Sequence, residues 1–212
     1  MFLLKEVKYK NILNIKALTI PENKVTCILG ESGSGKSTLL RLLNKLISYD
    51  RGEIFYNNQS LKEIDSVKLR RSVVMLPQSP AIFSGNIRDN LLIGLKFAEK
   101  PPVSDDRLHA VLKLVHLDED LNKDAEKLSE GEKQRLTLGR VLLLDPHVFL
   151  LDEPSSSLDE DTEHIIISSL VDYVKENNKT LIMVTHSKKV ANHFADNTFE
   201  IKKATIINEG EV

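Results

Sequence analysis

The segment Gly30-Glu31-Ser32-Gly33-Ser34-Gly35-Lys36-Ser37-Thr38 constrains the fold of this chain more than any other stretch. It satisfies the pattern G-x-x-x-x-G-K-[ST], with an apolar strand before it and a helical apolar pattern after it. Glycines let the backbone wrap closely around phosphates, so successive N–H groups can point inward. The helix N-terminus that follows adds a field favourable to anions. All nine residues are therefore candidate nucleotide-binding positions. Lys36 is expected to reach the β- and γ-phosphates, and the Ser37 hydroxyl to ligate Mg²⁺. The alternative is a glycine-rich turn that binds nothing. A chance match at the four fixed positions is about a one-in-a-hundred event for a chain this long.

A phosphate loop of this kind requires a sheet with helices on its faces, and the rest of the chain alternates accordingly. Strands are predicted at Leu3 to Tyr9, Ala17–Ile20, Lys24–Leu29, Glu53–Tyr56, Val73–Leu76, Val148–Leu151 and Thr180–Thr185. Leu39, Leu40, Leu42, Leu43, Leu46 and Ile47 have helical spacing. After Pro77-Gln78 the pattern turns helical, at Asn86–Leu95, Asp105–Leu117 and Glu130–Leu144, with Pro101-Pro102 marking a loop. A further helix is expected from about Asp161 to Glu176. The expected division is a core lobe of residues 1–78 and 145–212, with residues 79–144 as an inserted helical lobe.

Val148-Phe149-Leu150-Leu151-Asp152-Glu153 is an apolar strand ending in two acids. The carboxyl ends of parallel strands are where such sheets present catalytic groups. Asp152 is placed to hold Mg²⁺ through water, and Glu153 to orient and polarise an attacking water as general base. Acids also end buried strands for purely structural reasons. The phosphate loop in the same chain is what favours the catalytic reading.

Composition narrows the partners. A formal net charge of −2 gives no global reason to expect nucleic acid. The single cysteine, Cys27, lies in an apolar run, excludes an intramolecular disulfide framework and suits a reducing compartment. No apolar run approaches the roughly 20 residues of a membrane span. If the protein works at a membrane, another chain must cross it.

Leu128-Ser129-Glu130-Gly131-Glu132-Lys133-Gln134-Arg135 resembles the ABC signature, whose usual core is L-S-G-G-Q. Gln78 matches the Q-loop, Ser156-Ser157-Leu158-Asp159 resembles the D-loop, and His186 matches the switch histidine. Tyr9 lies where the family often has an aromatic residue stacking on adenine. With these motifs in the family's order, the chain resembles an ABC transporter ATP-binding subunit over essentially its whole length. The resemblance implies an α/β P-loop NTPase of the ABC ATPase type, with a mostly parallel sheet core, N-terminal antiparallel strands and an inserted helical subdomain.

It further implies an Mg²⁺-dependent ATPase with Glu153, His186, Lys36 and Gln78 as catalytic residues, and Ser37, Gln78 and Asp152 around the metal. Ser129, Gly131 and Asp159 would contact ATP or the partner across a head-to-tail homodimer of cassettes. The implied partner is a polytopic permease, with the chain peripheral on the cytoplasmic face of the membrane. Each motif also has a plainer reading. Ser129 with Glu132 forms a capping box, Gln78 could be a loop residue, His186 structural, and Tyr9 packed on the sheet.

Glu130 and Glu132 depart from the signature and are expected to weaken ATP-driven dimerisation modestly. The segment after Gln78 looks exporter-like, although Asn122 to Lys127 lacks the acidic, glycine-rich character of fused exporters. The size resembles stand-alone bacterial subunits, including the iron-export type. A non-transport ABC ATPase of DNA repair or translation, and a binding module without catalysis, remain as alternatives at this point.

Overall fold

The computed structural model describes residues 1–202 and 205–211. Its elements are β1 (Phe2–Tyr9), β2 (Leu13–Ile20), β3 (Val25–Gly30), α1 (Lys36–Leu43), β4 (Arg51–Tyr56), β5 (Gln59–Ser60), α2 (Ser66–Ser72) and β6 (Val73–Leu76). They continue with α3 (Ile87–Phe97), α4 (Asp105–Leu114), α5 (Glu130–Leu144), β7 (Val148–Asp152), α6 (Glu160–Glu176), β8 (Thr180–Val184), α7 (Lys188–Phe194), β9 (Asn197–Lys202) and β10 (Thr205–Glu211).

Two sheets result. The smaller runs β2-β1-β4-β5 and is antiparallel. The larger runs β10-β9-β3-β8-β7-β6, parallel from β9 to β6, with β10 added antiparallel at one edge. The expected α/β fold is the one found.

Strands β3, β7 and β8 are buried along almost their whole length and mostly apolar, because both faces are covered. Side chains alternate between faces, so Cys27 and Leu29, Phe149 and Leu151, Leu181 and Met183 enter one buried cluster with helices α3 to α7. Ile28, Leu150, Ile182 and Val184 enter a second cluster with α1 and the small sheet. Helix α1 is thus held between two sheets, through Leu39, Leu40, Leu42 and Leu43. Cys27 is fully buried, and burial pushes its thiol pKa up to about 12, which leaves it a core residue.

Several sequence expectations need correction. Strand β2 begins at Leu13, four residues before the expected Ala17. Leu13 and Ile15 face the core, while Asn14 and Lys16 face out. Helix α1 stops at Leu43 and does not continue through Leu46 and Ile47. Lys45 adopts a left-handed conformation at φ 55°, the Leu46 amide turns back to the Arg41 carbonyl at 2.9 Å, and Leu46 becomes exposed. Helix α4 ends at Leu114, where His116 takes φ 51°. The sequence reading did not anticipate α2, α7, β5, β9 or β10.

Candidate functional site

The carboxyl ends of β3, β6, β7 and β8 lie side by side, and the functional residues come from the turns that leave them. The phosphate loop departs from β3. Gly30 adopts φ 142°, and a Cβ there would stand 2.5 Å from the Ile201 carbonyl oxygen of β9. Gly35, at φ 105°, precedes α1, and a Cβ on it would meet Leu13 at 2.8 Å. Only glycine satisfies both the dihedral angle and the space at these two positions.

Lys36 is 5% exposed. Its ammonium donates to the carbonyls of Gly30 at 2.8 Å and Glu31 at 2.9 Å, curling over the loop. Burial lowers its pKa, opposed by the nearby charges of Glu153 and Asp152. Ser34 Oγ is buried and has no hydrogen-bond partner among the described residues. Glu31, Ser32 and Gly33 are exposed at the loop's rim, and Thr38 is half-buried in the first turn of α1. Tyr9 is half-buried against the small-sheet cluster. It accepts the Ile12 amide in the turn whose Ile12 and Leu13 abut Gly35. That placement suits both the packing and the adenine readings.

Asp152, at the end of β7, is 2% exposed, and its Oδ1 accepts the Ser37 hydroxyl at 3.0 Å. The next residue turns sharply. Glu153 takes a left-handed φ of 51°, and its amide donates to the Val184 carbonyl of β8 at 3.0 Å. This turn directs its carboxylate toward two neighbours. Gln78 Nε2 donates to Glu153 Oε2 at 2.7 Å, and His186 Nε2 lies 2.8 Å from Oε1. Lys36, Ser37, Gln78, Asp152, Glu153 and His186, spread over the sequence, thus form one cluster.

Oxygen donors from Ser37, Asp152 and Gln78 are the hard ligands that Mg²⁺ prefers. A buried carboxylate bonded to one hydroxyl also fits a cation neighbour. Burial raises the Asp152 pKa; the Ser37 hydroxyl opposes this, the Glu153 charge reinforces it, and Arg41 and Lys36 oppose it. The folded state therefore binds more protons than the unfolded chain, from the ordinary carboxyl value of 3.8 up to the higher folded value. Across that window stability falls as pH rises, and the ionised carboxylate remains a cost above it. Asp152→Asn keeps an acceptor for Ser37 and removes the charge. Thermal unfolding at neutral pH, with chelator and without nucleotide, should show a higher midpoint than wild type. Destabilisation would mean that the charge is compensated in the free protein.

The signature residues form a second group. Ser129 caps α5 in a full capping box with Glu132. The Ser129 amide and hydroxyl both donate to Glu132 Oε2, at 2.7 and 2.6 Å. Glu130 is paired with Lys133 at 2.9 Å. Glu130 thus has a cation beside it in the free protein, whereas Glu132 is held by hydrogen bonds that favour its ionised form. A Cβ on Gly131 would lie 3.1 Å from Leu158 and 3.3 Å from the Ser157 carbonyl, so the signature turn abuts the loop before Asp159. Asp159 itself caps α6 through the Thr162 amide at 3.0 Å and hydroxyl at 2.7 Å.

One residue at this site was missed by the sequence reading. Gln134 is 6% exposed and bridges the two groups, donating to the Glu153 carbonyl at 3.1 Å and the Ser156 hydroxyl at 3.2 Å. Its signal was present: with Leu138, Val141 and Leu142 it occupies the i, i+4, i+7, i+8 stripe of α5, where a polar residue is out of place.

A family model described as "ABC transporter" matches residues 13–156. Protein STAR1 of Oryza sativa subsp. japonica is 40% identical over 192 residues, which span 90% of this chain and 55% of that protein. The phosphate import ATP-binding protein PstB of Aeropyrum pernix is 35% identical over 214 residues, spanning 95% of this chain and 85% of its own. Among solved structures, a dimeric ATP-binding cassette in a post-hydrolysis state, bound to ADP and Pi, superposes with a TM-score of 0.88. It shares 28% identity, with 100% of this chain and 98% of that one covered.

Proposed function

Because this chain belongs to the ABC transporter family, whose ATP-binding cassettes form dimers, we propose that it binds and hydrolyses ATP to drive a separate polytopic permease. The observation that carries this reading is the convergence of Gln78 and His186 on the Glu153 carboxylate, beside the Ser37–Asp152 contact and the phosphate loop.

In this reading, residues 1–78 and 145–212 are the ATP-binding core and residues 79–144 the signature-bearing lobe. The loop from Gly30 to Thr38 cradles the phosphates with its amides, and Lys36 exchanges its two carbonyl partners for phosphate oxygens. Tyr9 stacks on the base. Ser37, Asp152 and Gln78 would hold Mg²⁺, which would supply positive charge to offset that of the phosphates. Glu153 accepts a proton from the attacking water, and His186, already in contact with it, orients that carboxylate and approaches the γ-phosphate.

A second copy supplies Ser129, Gly131 and Asp159 to the opposite face of the nucleotide, giving a homodimer with two ATP molecules. No helix among the described residues is long and apolar enough to cross a membrane; in this reading the permease is a separate chain. The cassette would sit on that permease's cytoplasmic face. The segment after Gln78 favours an exporter-like coupling.

The test is phosphate release by the purified protein with ATP and Mg²⁺, repeated with chelator. Saturable turnover that disappears with the metal is expected. Absence of turnover at concentrations that permit dimerisation would remove the motor assignment. Recovery of a polytopic protein with the cassette from native membranes would identify the permease.

A further inference from the structure

Every polar atom of the Gln134 side chain is directed away from its own lobe. Besides its two donor contacts to Glu153 and Ser156, its Oε1 accepts the Ser157 amide at 3.1 Å. One buried amide on the signature helix therefore gathers the three residues on which the base-bearing turn is built. That turn is a strained one. Glu153 has a positive φ, a conformation that a residue with a side chain adopts only when its surroundings impose it.

The constraints on Glu153 come from two sides. Its amide is fixed to β8 through Val184. Its carbonyl accepts the Ser156 amide at 3.3 Å within the turn, and the Gln134 side chain from outside it. The β8 bond fixes only the amide side of Glu153; rotation about its N–Cα bond would swing the carboxylate away from Gln78 and His186 and carry the carbonyl with it, so whatever holds the carbonyl resists that motion. Gln134 is the group outside the turn that opposes this rotation through Glu153's own carbonyl. It stands one helical turn after Gly131, which itself packs on Ser157 and Leu158.

We propose that Gln134 is a positioning residue for hydrolysis, holding Glu153 in its left-handed conformation so that the carboxylate faces the reacting water. This rests on the assignment of Glu153 as the base. Gln134 touches neither nucleotide nor metal in this account, so it should govern turnover without governing binding.

The substitutions are Gln134→Met, which keeps length and removes the hydrogen bonds, and Gln134→Glu, which keeps the acceptor for Ser157 and removes the donor to Glu153. Both are expected to lower kcat about 10- to 100-fold, the range that a displacement of about 1 Å in a catalytic group produces. Affinity of the isolated chain for ATP, measured by titration with a fluorescent analogue, should stay within about twofold. Combining Gln134→Met with Glu153→Gln should lower kcat no further than Glu153→Gln alone, since residues acting as a unit are not additive.

A kcat within twofold of wild type, a parallel loss of nucleotide affinity, or full additivity with Glu153→Gln would overturn the proposal. Failure of both variants to fold would make the contact structural and overturn it as well. Wild type and Glu153→Gln run alongside separate the two levels. Absence of wild-type turnover strikes the ATPase reading and this inference together, whereas the other outcomes strike only the role of Gln134.

Discussion

Glu153→Gln is expected to reduce ATP turnover by about 10²- to 10⁴-fold, the usual contribution of a positioned general base. The amide has the size of the carboxylate, and its oxygen can still accept from Gln78 or His186. The strained turn is set by the Glu153 amide donating to the Val184 carbonyl and the Glu153 carbonyl accepting from the Gln134 side chain, which the substitution does not touch. Fold and nucleotide affinity should therefore persist. With hydrolysis removed, the ATP-bound dimer should accumulate, visible as a doubling of mass by light scattering when ATP and Mg²⁺ are present. Single-turnover phosphate release gives the chemical step directly. Retention of more than a tenth of wild-type turnover would show that Glu153 merely holds Gln78 and His186, and that the base lies elsewhere.

The second large effect is at Lys36. Its ammonium sits in a buried position with two carbonyl partners, so a cation has been taken out of water inside the loop. Such a group binds phosphate strongly, because charge-assisted hydrogen bonds gain in a site of low dielectric. Lys36→Met fills the same channel without charge and is expected to weaken ATP binding by at least about 100-fold, or about 3 kcal/mol. The loss should be smaller for adenosine, which has no phosphate to contact. Titrations with ATP and adenosine on the same protein decide this. Equal losses for both would point to a collapsed loop, and unchanged ATP affinity would remove Lys36 from the phosphate site.

Much of this site was legible in the sequence, for a physical reason. Phosphate binding demands backbone amides, conformational freedom and a cation at fixed spacing, so Gly30, Gly35, Lys36 and Ser37 cannot be scattered. Asp152 and Glu153 were legible because a strand buried on both faces must be apolar until it leaves the sheet. Gln78 and His186 carry no local signal and were placed through the family resemblance. Their meeting at one carboxylate depends on β6 and β8 flanking β7, which a one-dimensional pattern does not contain.

The misses follow the same logic. Helices α2 and α7 have seven residues each, too few for a period of 3.6 to declare itself. Strand β9 reads Asn-Thr-Phe-Glu-Ile-Lys and is half-buried over its first four residues, so neither alternation nor a continuous apolar run marks it. Gln134 was read as part of a signature motif, and its place on the core-facing stripe of α5 went unused.

The close approach of Gly30 to the Ile201 carbonyl bears on the order in which the molecule can be made. Strand β3 pairs with β8 and β9, so the ribosome must extrude about 170 further residues before the turn at Gly30 is enclosed. Until then the nascent chain holds a glycine-rich segment whose pairing partners do not yet exist, and contacts this distant in sequence form slowly. The turn at Gly30 is therefore completed only after β8 and β9 have emerged, and release of the polypeptide before then leaves it unfinished.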